Sequence, residues 1–404
     1  MGVSDSGRLF DRTHSDVSSS FAPQSLTKVY WTAFIGLFFD YYDLYLFIYL
    51  DRVLAKDFQL DAHQSSFVQA IGLVGVGLGA LLFGYLADRF GRGKVLLAVF
   101  GIYAVGLIGL SLAQTVVSLL AFRLLSSMAL GAEWGISHTY LAEHAQARQR
   151  YRLSAFLQFS LLGGLLAALA TRFLLPITGW RWLFAGSIIP IALLAAVRWT
   201  ALRDDASIPA HFSPRGSALR ETAKAITNQL GPFVLGLALA SLSIASGTIN
   251  VFFAKELPQS VWATVLFWVN VVPGMLLGAW VVQKFAVKTA LVLYGVALVL
   301  LSVVTWFVPG SGRSLAFALL LPILNGIPFG LMGAWFNELF GAYRTMLSGA
   351  AYNLGRILAG FSPLLVTSLG LNQGGNYFLF TTALGVCVIA LASLGGTTGV
   401  NRPR

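Results

Sequence analysis

Residues 79–90 read GALLFGYLADRF, and residues 274–285 read GMLLGAWVVQKF. The two stretches lie 195 positions apart, and the same offset carries Glu143 onto Glu338. One shift that matches two distant places in a chain points to a duplicated unit. Each stretch closes an apolar segment long enough to cross a bilayer, which takes about 20 helical residues at about 1.5 Å each. Such segments recur twelve times, at 28–50, 65–87, 95–114, 116–142, 153–176, 180–199, 230–253, 259–282, 289–309, 314–340, 346–370 and 375–396.

Composition agrees with lipid as the solvent. Of 404 residues 57% are hydrophobic and only 11% are charged, against roughly 25% charged in soluble domains. Mean hydropathy is +0.75. The net charge of +11 raises the question of nucleic acid, but the basic residues fall in short clusters between apolar segments. Topology accounts for them better. With the amino terminus in the cytoplasm, nineteen of the 27 Lys and Arg lie on the cytoplasmic side and six on the other, as the positive-inside rule requires.

The expected architecture is therefore an all-α polytopic membrane protein with both termini cytoplasmic. Residues 1–27 form a disordered cytoplasmic tail, Ser-rich and without the basic head and apolar run of a secretory signal. A six-helix bundle follows over 28–200, then a polar linker over 201–227, a second bundle over 228–396 and a short cytoplasmic tail over 397–404. The lone Cys387 and five scattered His offer no metal or redox site. No Walker sequence, nucleophile triad or cofactor fingerprint is present, so an enzyme is not expected and any work is driven by an ion gradient.

Gly84 to Lys94, GYLADRFGRGK, sits between spans two and three and resembles the signature of the major facilitator superfamily. The resemblance covers most of residues 28–396 and implies two pseudo-symmetric six-helix bundles that rock around a central site. Gly84 is expected to let two helices approach and Gly91 to allow the turn, while Asp88, Arg89 and Arg92 bridge helix ends. At the cytoplasmic end of span four, TYLAEHAQARQR resembles an element of the sugar-porter and metabolite:proton symporter branches, with Glu143 and Arg150 at the matching places. The resemblance implies gate pairs Arg89 with Glu143 and Lys284 with Glu338, with Arg344 the degenerate partner in the second copy. Gln146 and Tyr151 stand where the branch has Pro and Gly.

Ionisable residues inside apolar spans are functional candidates, because a charge at mid-bilayer costs at least about 2.5–3.5 kcal/mol on insertion scales. Asp43 in FFDYYDLYLF matches the acid that proton-coupled sugar porters keep in span one, and Arg123 lies twenty residues before Glu143 as their span-four Arg does. The two are expected at nearly the same depth and are read as a pair: either a proton-coupling couple or a static ion pair that fixes packing. Asp40 shares the first helical face with Asp43, and Glu133 is a second proton site or faces a neighbouring helix. Arg356 in AYNLGRILAG, with Tyr352 and Asn353 beside it, resembles organic-anion and metabolite:proton symporters. Its planar fork suits a carboxylate, the alternative being packing against carbonyls.

Gln158 matches a substrate-contacting position or makes an interhelical hydrogen bond. Further candidate cavity residues are Tyr41, Tyr45, Trp134, Asn250, Asn270, Asn325 and Trp335. The expected protein is a monomeric proton-coupled symporter of a small organic anion in a prokaryotic inner membrane, with no cofactor. Its rivals are a carrier of neutral or zwitterionic solutes, an efflux antiporter, and a sensor or scaffold built on a transport fold.

Overall fold

The structure is a computed structural model that describes residues 26–90, 92–144, 153, 156–204, 224, 226–254, 261–285, 287–307, 311–340, 344–370 and 377–394, with only the backbone described at some helical positions. Among these residues all regular structure is helical. Grouped by the twelve expected spans, the described helices run α1 Leu26–Tyr49, α2 Ala62–Phe90, α3 Arg92–Leu112, α4 Val116–His144, α5 a 3-10 turn Gln158–Leu162 running into Gly163–Phe173, and α6 Trp180–Gly186 with Ile188–Asp204. The second half holds α7 Leu230–Ala254, α8 Val261–Val269 with Val271–Lys284, α9 Val287–Trp306, α10 Ser311–Leu339, α11 Arg344–Gly360 with Ser362–Ser368, and α12 Tyr377–Leu394.

Several spans overrun their apolar segments, because backbone hydrogen bonding carries a helix past the point where hydropathy falls. Among the described residues four are by themselves long and apolar enough to cross a bilayer: Ala62–Ala87, Val116–Glu133, Leu230–Thr248 and Val261–Val281. Ala33–Tyr49 qualifies together with the short helix Asp51–Asp57, which leaves it at a 53° bend. Others carry shorter apolar stretches, and α11 is the least apolar of the spans. In lipid such a helix must turn its polar side inward. Large apolar side chains line the outside of the described bundle, Trp182 at 70% exposed and Trp262 at 75% among them, as a lipid-facing surface requires.

The duplication is visible in how the spans pack. In the first half α2 packs on α4, α1 on α5 and on α4, and α3 on α6. In the second half α8 packs on α10, α7 on α11 and on α10, and α9 on α12, so each contact recurs six spans later. The repeat holds to the atom. A Cβ on Gly79 would fall 1.8 Å from the Met128 carbonyl oxygen, and one on Gly274 would fall 1.8 Å from that of Ile323. Gly131 meets the Val76 carbonyl oxygen at 1.9 Å, and Gly326 that of Val271 at 2.3 Å. Each pair is offset by the same 195 positions. Missing side chains let backbones touch, which is how helices associate in lipid, where no hydrophobic drive separates tail from side chain.

These contacts correct one expectation. Among the described residues Gly84 has nothing within 4 Å of where its Cβ would sit. The signature glycine therefore does not create the close approach; Gly79, one and a half turns earlier, does, because that is where α2 crosses α4.

The halves meet through α2 against α11 and α5 against α8. Exchanging the halves converts one contact into the other. Buried apolar side chains form one large cluster in each half, with a small third one of Ala33, Leu37 and Leu157 in the first, and the second-half cluster also takes in Tyr41, Ile48, Leu161 and Ala168 from α1 and α5. Those residues mark the face that the first half turns to its twin.

Candidate functional site

Arg356 lies on α11, 7% exposed, with its guanidinium carbon 4.7 Å from the centre of the Tyr352 ring. Its charge acts on the hydroxyls of Tyr41 and Tyr45, which α1 brings from the other half. Tyr41 and Tyr45 are one turn apart and their rings stack at 6.2 Å. Trp268 of α8 closes the group: its ring meets Tyr45 edge-on at 4.7 Å, and its indole N–H donates to the Tyr49 hydroxyl at 2.9 Å. Gly164 of α5 makes room, since a Cβ there would fall 2.0 Å from that indole. The result is a buried cation on the Tyr352 ring, close enough to act on a group of aromatic rings drawn from both halves. Rings of this kind offer π faces to a planar solute, and the guanidinium offers paired donors to a carboxylate.

Asn353 stands beside Arg356, 4% exposed; its amide donates to the Gly349 carbonyl oxygen at 2.8 Å, while its buried Oδ1 has no hydrogen-bond partner among the described residues. Gln158 is buried at the start of the 3-10 turn that packs on α1.

A second group lies inside the first half. Asp43, Arg123 and Glu133 are each 2% exposed. Asp43 and Arg123 act on each other electrostatically, as expected, but among the described residues they make no ion pair within 4.0 Å. The Tyr103 hydroxyl of α3 donates to Asp43 Oδ2 instead. The Arg123 guanidinium carbon lies 3.9 Å from the centre of the Phe47 ring, one turn along α1 from Asp43. The offset of one turn explains the missing contact: the arginine has a ring to cover at Phe47, and the tyrosine reaches the carboxylate first. Asp40 is half-buried on the same helix and acts on Tyr103 as well.

Other candidates are committed elsewhere. Asn325 accepts from Ser246 Oγ at 2.5 Å and from the Tyr294 hydroxyl at 3.4 Å, and its Nδ2 donates to the Ser246 carbonyl oxygen. It ties α10 to α7 and α9 rather than lining a cleft. Asn270, at the break in α8, donates to the Leu319 carbonyl oxygen at 3.0 Å and ties α8 to α10. Trp335 is buried in the second-half core, stacked on Phe336 at 5.2 Å. Lys284 is exposed, with Nζ 4.5 Å from the Trp280 ring centre. Gly91 and Arg150 lie outside the described residues, as do the side chains of Asp88, Arg89, Arg92, Trp134, Glu143, Asn250, Glu338 and Arg344.

Tyr49, Tyr103 and Trp268 escaped the sequence reading. Each is an amphipathic ring in an apolar run, and such rings serve as core, lipid anchor or polar contact alike. The one usable signal was Tyr103: a hydroxyl mid-span needs a partner, and the nearest unmatched groups were the acids of span one.

A sequence model described as the Major Facilitator Superfamily matches residues 33–363. The chain is 29% identical to a putative metabolite transport protein of Haemophilus influenzae, over 89% of its own length and 92% of the relative's. It is 26% identical to the cis,cis-muconate transport protein of Acinetobacter baylyi, covering 87% and 89%. The fold is similar to that of the Escherichia coli xylose transporter XylE in a partially occluded inward-open conformation, with TM-score 0.70, 19% identity and coverage of 90% and 96%.

Proposed function

The chain belongs to the major facilitator superfamily of membrane transporters, and from that premise we propose that it is a proton-coupled symporter of a small organic anion, with Arg356 as the carboxylate-binding group. One observation carries this reading: a buried arginine of the second half faces a stack of tyrosines from the first, at the seam where the halves meet. A substrate that neutralises Arg356 while touching Tyr41 and Tyr45 binds both halves at once, and so couples occupancy to their rocking. The aromatic box favours flat, conjugated or aromatic acids over saturated ones. The A. baylyi relative is described as carrying muconate, a conjugated dicarboxylate, which points the same way. Asn353, Tyr352, Trp268 and Gln158 are the remaining substrate contacts in this scheme.

Asp43 is the proton carrier, with Arg123 and Tyr103 around it and Asp40 and Glu133 as subsidiary acids. Protonation neutralises the carboxylate, so it can cross the occluded state without a buried, partly compensated charge. The gate of Arg89, Glu143, Arg150, Lys284, Glu338 and Arg344 belongs to the cytoplasmic side, where the positive-inside distribution also puts both termini. The protein acts as a monomer in a prokaryotic inner membrane, two bundles at 28–200 and 228–396 joined by the linker, with no nucleic-acid partner.

The test is flux. Purified protein in proteoliposomes with an inward proton gradient should accumulate radiolabelled muconate or benzoate and not xylose, and collapse of the gradient should abolish accumulation. Uptake of xylose instead would overturn the anion assignment. Binding with no flux under any gradient would turn the reading toward a sensor.

A further inference from the structure

In this conformation the two charges assigned to proton coupling act on each other, but each has another group as its direct contact. Arg123 lies on the Phe47 ring, and its guanidinium fills the space left by Gly72 of α2. A Cβ on Gly72 would fall 2.6 Å from one terminal nitrogen and 2.7 Å from Nε. Among the described residues Nε itself is buried with no hydrogen-bond partner, and beyond Tyr103 the Asp43 carboxylate has only the Ser187 hydroxyl beside it, which also donates to the Leu183 carbonyl oxygen. Asp43 Oδ2 takes the Tyr103 hydroxyl. Each charge is thus only partly satisfied in a setting where full pairing is the stable end point.

We infer that Gly72 and Phe47 form a holding slot for the Arg123 guanidinium while Tyr103 occupies Asp43, so that coupling proceeds by Asp43 exchanging Tyr103 for Arg123. The inference rests on the symport reading given above. With Arg123 in the slot, Asp43 takes up a proton. When Arg123 leaves the slot for the carboxylate, it displaces the Tyr103 hydroxyl and the proton is released. Gly72 is then a positioning residue: it touches neither proton nor substrate, and sets where the arginine rests. The groups around Asp43 are Tyr103 from α3, Arg123 from α4, the Ser187 hydroxyl at the break in α6, and Asp40 and Tyr42 from α1 itself.

Gly72→Ala closes the slot and drives Arg123 toward Asp43. An opposite charge at ion-pair distance favours the ionised carboxylate and moves its titration down by about 1–3 pH units. Infrared difference titration of purified, substrate-free protein reads this directly through the carbonyl band of the protonated acid, assigned by its loss in Asp43→Asn. Gly72→Ala should shift the midpoint of that band toward acid by about one unit or more. Phe47→Leu removes the ring but adds no bulk, so it serves if the glycine variant does not fold, and should shift the midpoint the same way by less. An unmoved midpoint in a folded variant overturns the slot while leaving symport standing. The absence of any Asp43-dependent band between about pH 4 and 9 overturns the symport reading itself, and the slot with it.

Discussion

Replacing Gly79 by Ala adds a methyl group whose position is only 1.8 Å from the Met128 carbonyl oxygen, whereas real Cβ contacts stay beyond 3.0 Å. The α2 and α4 backbones must therefore part by at least about 1.2 Å along a crossing that Gly131 holds equally tight from the other side. Overpacking of this kind costs about 1–3 kcal/mol, and the steric partner here is backbone, which puts the cost at the upper end. Helix propensity returns up to about 1 kcal/mol, leaving a net loss of about 2 kcal/mol. Gly274→Ala should behave alike, since the Ile323 carbonyl oxygen sits at the same 1.8 Å. Gly84→Ala should be neutral or slightly stabilising, with nothing within 4 Å. Thermal unfolding of the three variants in one detergent, followed by circular dichroism, measures the comparison. If Gly84→Ala lowers the midpoint while Gly79→Ala and Gly274→Ala leave it alone, the packing account is wrong, and the signature glycine has the role that its motif suggests.

Arg356→Ala should reduce anion uptake by 30-fold or more, the equivalent of about 2–5 kcal/mol for losing one partner of a buried charge contact; equal uptake in a folded variant excludes Arg356 from the site. Arg356→Lys should recover only part of it, because an ammonium lacks the paired fork. Asp43→Asn should leave uptake flat across external pH, where the parent protein speeds up as the medium becomes more acidic. Asn325→Ala takes the shared acceptor from Ser246 Oγ and the Tyr294 hydroxyl and leaves them only each other, for a loss of about 1 kcal/mol in stability with little change in KM. A selective rise in KM would make Asn325 a substrate contact after all. Trp268→Phe removes the donor to Tyr49 and should weaken binding of aromatic acids more than of aliphatic ones, measurable as the ratio of their KM values.

The sequence by itself determined the solvent, the order of the apolar helices and the twofold repeat. Hydropathy and helix length are local quantities, and an offset of 195 residues survives as identity wherever backbone contact tolerates only glycine, as at Gly79 and Gly274. The rarity of ionisable residues in lipid also singled out Asp43, Arg123 and Arg356. What each of them touches was decided by the tertiary structure alone. Arg123 could meet Asp43 as far as depth along the spans could tell, but packing on α2 and α3 put Gly72 beneath it and Tyr103 in its place. Trp268 and the tyrosines of α1 lie more than 200 positions apart, and nothing short of the two halves closing on each other distinguishes them from rings that face lipid.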